Sequence, residues 1–146
     1  MIIANTPLYR IHHIGYAVKD IERSFKVFGM LDYKMESPIV EDFERNIKVL
    51  FICNHETRIE LIQILDDNKE SPIDFLFSKK FFPGNGIPYH ICYSVDNLDT
   101  AIENLNKTER FIVIQPKSKA PALEGKNVMF LFQHDIGIIE MYENVG

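Results

Sequence analysis

Four residues of this sequence, His13, Glu60, His90 and Glu140, are of types that can do chemistry and stand where ordinary packing does not explain them. His13 lies in His12-His13-Ile14-Gly15-Tyr16-Ala17-Val18 and His90 in Tyr89-His90-Ile91-Cys92-Tyr93-Ser94-Val95, both strand-like runs. Glu60 stands between Ile59 and Leu61, and Glu140 between Ile139 and Met141. Neighbours on a strand point to opposite faces, so alternate positions of such runs belong to a core. A carboxylate in that setting must be paired or bound to a cation, because burying it alone is very costly. Two imidazoles and two carboxylates suit a first-row divalent ion such as Zn, Ni, Co, Mn or Fe. An octahedral ion with four protein ligands keeps two positions for water or substrate oxygens. One strand histidine is ordinarily a satisfied core or edge residue, and one strand glutamate ordinarily faces solvent. Four at matched positions are a candidate metal site.

The match comes from an internal repeat, which has to be read before any single element. His, Ile, Tyr and Val recur at 13/90, 14/91, 16/93 and 18/95, an offset of 77. Further on, Val49-Leu50-Phe51-Ile52-Cys53-Asn54-His55 aligns with Val128-Met129-Phe130-Leu131-Phe132-Gln133-His134 at an offset of 79. Ile59-Glu60-Leu61 then meets Ile139-Glu140-Met141 at 80. Each half therefore carries one histidine on its first strand and one glutamate on its last. If an approximate twofold axis relates the halves, the four side chains converge.

Composition restricts the function classes. A chain of 146 residues fits one domain with a sizeable core, and 46% hydrophobic with 25% charged residues is ordinary for a globular protein. A net charge of −5 without a basic run argues against nucleic acid as a partner. No apolar run approaches the roughly 18–20 residues that span a bilayer. Met1-Ile2-Ile3-Ala4-Asn5-Thr6-Pro7 lacks the pattern of a signal peptide. Cys53 and Cys92, both in apolar runs, are expected as buried reduced thiols, and the expected compartment is the cytoplasm.

The elements that must hold the four residues follow from periodicity. Tyr9 to Val18 reads as a strand, followed by a helix from Ile21 capped by Asp20 and stopped at Gly29. Leu31 to Ile39 reads as a weak strand and Glu41 to Asn46 as a charged loop. Ile47 to Cys53 and Arg58 to Leu65 are strong strands joined by the turn Asn54-His55-Glu56-Thr57. A linker over residues 67–86 includes a short helix from Ser71 to Phe77 and a break at Phe81-Phe82-Pro83-Gly84-Asn85-Gly86. The second unit has a strand from Ile87 to Val95 and a helix from Leu98 to Asn106, capped by Asp96 or Asn97. It continues with a strand Arg110 to Ile114, a loop Gln115 to Lys126, and strands Asn127 to Phe132 and Gly137 to Tyr142. Eight strands in total are expected, in one domain over residues 1–146 with modules of about 9–66 and 87–143.

The segments HHIGYAVKDIERSF, IELIQ, HICYSVDNLDTAI and GIIEMYE resemble the signature segments of the vicinal oxygen chelate superfamily, which includes glyoxalase I and methylmalonyl-CoA epimerase. Ser71-Pro72-Ile73, Gly86-Ile87-Pro88-Tyr89-His90 and Gly137-Ile138-Ile139-Glu140 look most like the epimerase branch. The resemblance implies an α+β fold of two paired βαβββ modules whose mixed sheet cups around a metal ion. By position it implies His13, Glu60, His90 and Glu140 as the metal ligands. It further implies a homodimer and a small-molecule substrate such as an acyl-CoA, while composition has already argued against nucleic acid and membrane as partners. Two departures stand out. The epimerases typically place Gln where this chain has Glu60, and Glu there is the glyoxalase I pattern. They also carry a second catalytic acid where this chain has Val49.

The expected activity is a metal-dependent isomerase or epimerase acting by α-proton transfer, with Glu140 as one general base and Glu60 as the other. Glu60 would then restore the acid missing at Val49. The alternatives are a glyoxalase I-type lyase on a glutathione hemithioacetal and a metal-free sequestering protein of the same fold. The remaining polar candidates have plainer readings. His12 should face away from His13, and His55 and His134 belong to equivalent turns. Lys117, Lys119 and Lys126 border a solvated loop, with phosphates of a CoA-type substrate as their functional option. Tyr16 and Tyr93 suit core packing. Gly84-Asn85-Gly86 is a turn, since no helix follows it.

Overall fold

Alternation in the strong strands sets which side chains meet, and the pairing registers follow it. The structure is a computed structural model that describes residues 8–55, 57–77 and 84–144. Residues 1–7, Glu56 of the expected turn and Phe81-Phe82-Pro83 of the expected break lie outside the described residues. The fold is α+β, with a mixed sheet of nine strands and two α-helices among the described residues. In chain order these are β1 (Arg10–Val18), α1 (Ile21–Gly29), β2 (Lys34–Met35), β3 (Val40–Asp42), β4 (Ile47–Asn54) and β5 (Thr57–Ile64). They continue with β6 (Gly86–Val95), α2 (Leu98–Asn106), β7 (Ile112–Ala120), β8 (Lys126–Gln133) and β9 (Gly137–Glu143). None of the described helices is long and apolar enough to cross a membrane.

The chain forms two compact units. One takes the described residues within 13–89 and 120–125, the other those within 1–12, 90–119 and 126–146. In the first unit β4 pairs antiparallel with β5, and β5 runs parallel to β1. Strands β2 and β3 both pair with β4 on its other side. Ile59 and Leu61 point to one face of β5, where they pack with Leu50, Ile52, Val18 and Ile21 beneath α1. In the second unit β9 runs parallel to β6 and antiparallel to β8, with β7 beyond β8. Ile139 and Met141 pack with Leu131, Met129, Val95 and Leu98 beneath α2. Glu60 and Glu140 alternate with these core residues, so both face away from the helices.

Both helices start as the sequence leads one to expect. Asp20 caps α1 by accepting from the Arg23 amide at 3.1 Å, and Asn97 caps α2 by accepting from the Thr100 amide at 2.9 Å. A second tie also recurs. The Ile21 amide donates to Gln63 Oε1 at 2.8 Å, and the Leu98 amide donates to Glu143 Oε2 at 2.9 Å. Gln63 and Glu143 each stand three residues after the glutamate of their own half, so each helix start is fastened to the strand that carries that glutamate.

The structure corrects the expectations in four places. The strand expected over Leu31–Ile39 shrinks to Lys34–Met35, because Pro38 cannot donate to a ladder and the Phe51 amide turns instead to Ser37 Oγ at 3.2 Å. The charged loop expected from Glu41 opens with β3, whose buried Asp42 accepts from the Arg45 amide and guanidinium, which raises the strand count from eight to nine. The first half of the loop expected over Gln115–Lys126 belongs to β7, and Pro121–Leu123 form a 3-10 turn. Pro116 is tolerated there because β7 is an edge strand, and the chain then turns through Glu124 and Gly125 at φ of 58° and 76°. The helix expected over Ser71–Phe77 is a 3-10 turn over Asp74–Phe77, with Asp74 Oδ2 accepting from the Ser71 amide. At the end of α1, Gly29 closes the helix, and the chain reverses at Asp32, whose φ is 67°.

Candidate metal centre

Within each unit one imidazole and one carboxylate are brought together by the same register. In the first unit Gly15 of β1 is the parallel partner of Glu60 on β5, which places His13 and Glu60 on one face. His13 Nε2 lies 3.2 Å from Glu60 Oε1, and the two residues are 0% and 6% exposed. In the second unit Cys92 of β6 is the partner of Glu140 on β9, and His90 Nε2 lies 3.1 Å from Glu140 Oε1, with exposures of 4% for each residue. The position opposite each glutamate is small in both halves, a glycine or a cysteine.

A phenylalanine completes each pair. Phe51 on β4 is the cross-strand partner of Glu60, and its ring meets His13 edge-on at 5.2 Å between centroids. Phe130 on β8 is the cross-strand partner of Glu140, and its ring meets His90 in the same way, also at 5.2 Å. These apolar walls keep water from the imidazole–carboxylate contacts, which strengthens any charge interaction made there. Sequence reasoning placed Phe51 and Phe130 in register but gave them no role, since a strand phenylalanine is ordinarily core.

The donor set fits a divalent cation. Each pair presents an imidazole nitrogen and a carboxylate oxygen of the kinds that bind borderline ions. Each carboxylate is buried at hydrogen-bond distance from an imidazole nitrogen, a setting that calls for a shared proton or a cation. Val49 on β4 is 3% exposed, pairs with Ile62 on β5 and stands two residues from Phe51, so it shares the face of Glu60 and brings no acid to it.

The other polar candidates separate clearly. His55 adopts φ of 51° in the turn between β4 and β5, and His134 sits in the turn between β8 and β9, as expected. Lys117 pairs with Asp99 at 3.3 Å. Lys126 instead reaches the Tyr142 hydroxyl and lies over the Tyr142 ring. His12 packs its ring against that of Tyr142, 4.8 Å between centroids, in keeping with the packing role expected of it. Cys53 and Cys92 are both free thiols, Cys92 buried and Cys53 half-buried.

Comparison with known proteins bears on the family and the fold. Residues 12–130 match the Glyoxalase/Bleomycin resistance protein/Dioxygenase superfamily. A human protein named mitochondrial methylmalonyl-CoA epimerase is 30% identical over 130 residues, spanning 89% of this chain and 70% of that protein. The structure of methylmalonyl-CoA epimerase from Mycobacterium tuberculosis superposes with a TM-score of 0.77 at 18% identity, covering 99% of this chain and 94% of the other. A methylmalonyl-CoA epimerase in complex with methylmalonyl-CoA and NH4+ superposes with a TM-score of 0.74 at 17% identity, covering 96% and 97%.

Proposed function

The chain belongs to the Glyoxalase/Bleomycin resistance protein/Dioxygenase superfamily, and from that premise we propose that it is a metal-dependent epimerase of methylmalonyl-CoA. The observation that carries the reading is the repeated, buried His–Glu pair, His13 with Glu60 and His90 with Glu140. In this reading the modules of about 9–66 and 87–143 act as a single domain, and the four residues are ligands of one divalent ion. A divalent ion held there supplies a Lewis acid that stabilises negative charge developing on substrate oxygens.

The chain's own residues then move the protons. Glu140, ionised, takes the α-proton, and the C–H electron pair delocalises into the thioester carbonyl. Glu60, protonated at the start, returns a proton to the other face of the same carbon. Glu140 ends protonated and Glu60 ionised, which is the starting state for the reverse reaction. Glu60 thereby supplies the acid that Val49 cannot. Phe51 and Phe130 hold the imidazoles and keep the carboxylates out of water. The two free thiols suit a reducing compartment, and the reading includes a cytoplasmic homodimer.

Glu60 also favours a second reading, a glyoxalase I-type proton transfer on a glutathione hemithioacetal. Protein of measured metal content, topped up with cobalt, is incubated with methylmalonyl-CoA in deuterated water while NMR follows the α-proton. Rapid exchange of both diastereomers, cut by a factor of about 100 or more in Glu140→Gln only for the diastereomer whose α-proton Glu140 takes, is the expected result. One bound ion per chain without exchange would reject methylmalonyl-CoA and turn the search to hemithioacetals.

A further inference from the structure

The face of the second unit that carries Glu140 also carries a lysine whose charge no carboxylate balances. Glu140 and Tyr142 stand two residues apart on β9 and share a face, and Val128 opposite Tyr142 fixes the register of β8. Lys126, at the start of β8, lies on that face. Its Nζ is 3.3 Å from the Tyr142 hydroxyl, 3.5 Å from Asn144 Oδ1 and 5.6 Å from the centre of the Tyr142 ring. The hydroxyl also lies 3.4 Å from Asn144 Oδ1. All of these partners are neutral, and among the described residues no carboxylate pairs with Lys126. Tyr142 is 7% exposed and packs against the ring of His12, so the hydroxyl that meets Lys126 is held in place. Lys117 differs, because it is neutralised by Asp99.

We propose that Lys126 and the Tyr142 hydroxyl form an anion-binding subsite that holds a charged group of the substrate along the strand from Glu140. Tyr142 stands two residues and Lys126, opposite Asn144, four residues along the strand from Glu140, roughly 7 and 13 Å, a span that an acyl group or the start of a thioester arm covers. The half-buried ammonium donates to the anion, and the hydroxyl, whose single proton now goes to Asn144 Oδ1, turns it to the anion beside the ammonium. This rests on the acyl-CoA reading above. The same chemistry would receive either the free carboxylate of a malonyl-type acyl group or a phosphate of the CoA arm.

Calorimetric titration separates these sources without relying on turnover. The probes are methylmalonyl-CoA, propionyl-CoA, which lacks the carboxylate, and methylmalonyl-pantetheine, which lacks the phosphates. Lys126→Gln should weaken binding roughly 10- to 100-fold wherever the anion it holds is present. Loss with methylmalonyl-CoA and methylmalonyl-pantetheine but not propionyl-CoA assigns the carboxylate. Loss with both CoA thioesters but not the pantetheine ester assigns a phosphate. Tyr142→Phe should show the same pattern more weakly with Lys126 intact, and unchanged melting temperatures show that both variants fold. Unchanged binding of all three probes to Lys126→Gln overturns the subsite and leaves the epimerase reading standing. A wild-type protein that binds none of them overturns both.

Discussion

A buried carboxylate is informative because it is expensive, and Glu60 and Glu140 were legible for that reason. Their registers with His13 and His90 follow from strand alternation together with the repeat. Phe51 and Phe130 were in the same repeat and went unassigned, because an aromatic on a strand carries no mark that it will meet an imidazole rather than a core. Lys126 was legible only as a charge near a loop. Its distinction from Lys117 depends on which strand lies beside it, and that is a matter of tertiary pairing. Cys53 supports a prediction at this scale. Desolvation pushes its thiol pKa up, a hydrogen bond with Glu36 adds to this, and Sγ donates to the His55 carbonyl at 2.9 Å. The thiol is therefore held protonated where a free cysteine begins to ionise. Alkylation of Cys53 by iodoacetamide should stay slow at about pH 8 and rise with a midpoint above the usual range near 8.5. Because the folded pKa exceeds the unfolded one, the stability this contributes is complete below the unfolded pKa and is lost as pH climbs through the folded value. A rate profile matching that of a short cysteine peptide would contradict the shift.

At the scale of elements, the strong strands and both capped helices could be read directly, since Asp20 and Asn97 precede the apolar stripes they cap. Weaker elements went astray where one residue overrode its neighbours. Pro38 ended the strand expected to reach Ile39, and Pro116 suggested a loop although an edge strand tolerates it. The ties from Gln63 to the Ile21 amide and from Glu143 to the Leu98 amide join residues far apart in sequence, and no local signal announces them. Each couples a helix start to the strand bearing the glutamate of its half. Gln63→Ala should cost about 1 kcal/mol, a fall of roughly 2–4 °C in melting temperature for a chain of this size. It should also speed amide exchange in the first turn of α1 while α2 is unchanged. Equal exchange in both helices would mean that the tie is incidental.

For the whole molecule, the repeat made the βαβββ architecture legible before any single strand was secure. The nine strands and two helices fit it, with β3 as the addition. If the two His–Glu pairs are halves of one centre, as proposed, the stoichiometry follows. Wild-type protein should bind one divalent ion per chain, and His13→Ala or His90→Ala alone should lower occupancy to near zero at micromolar metal. Two ions per chain, or half the occupancy retained by either variant, would mean two independent sites. Chelation should lower the melting temperature, because an ion present at 100 times its dissociation constant stabilises the folded state by about 2.7 kcal/mol.

The most direct test concerns the claim that Glu60 takes the place of the acid missing at Val49. A single diastereomer of methylmalonyl-CoA is given in deuterated water to metal-loaded wild-type and Glu60→Gln protein, with metal content matched. Glutamine keeps an oxygen ligand and removes the capacity to carry a proton. Loss of the α-proton and formation of the other diastereomer are followed together. Wild type should do both, while Glu60→Gln should exchange only the diastereomer whose proton Glu140 takes and interconvert the two at least about 100-fold more slowly. Full-rate interconversion by Glu60→Gln would make Glu60 a ligand only and would contradict the two-glutamate mechanism.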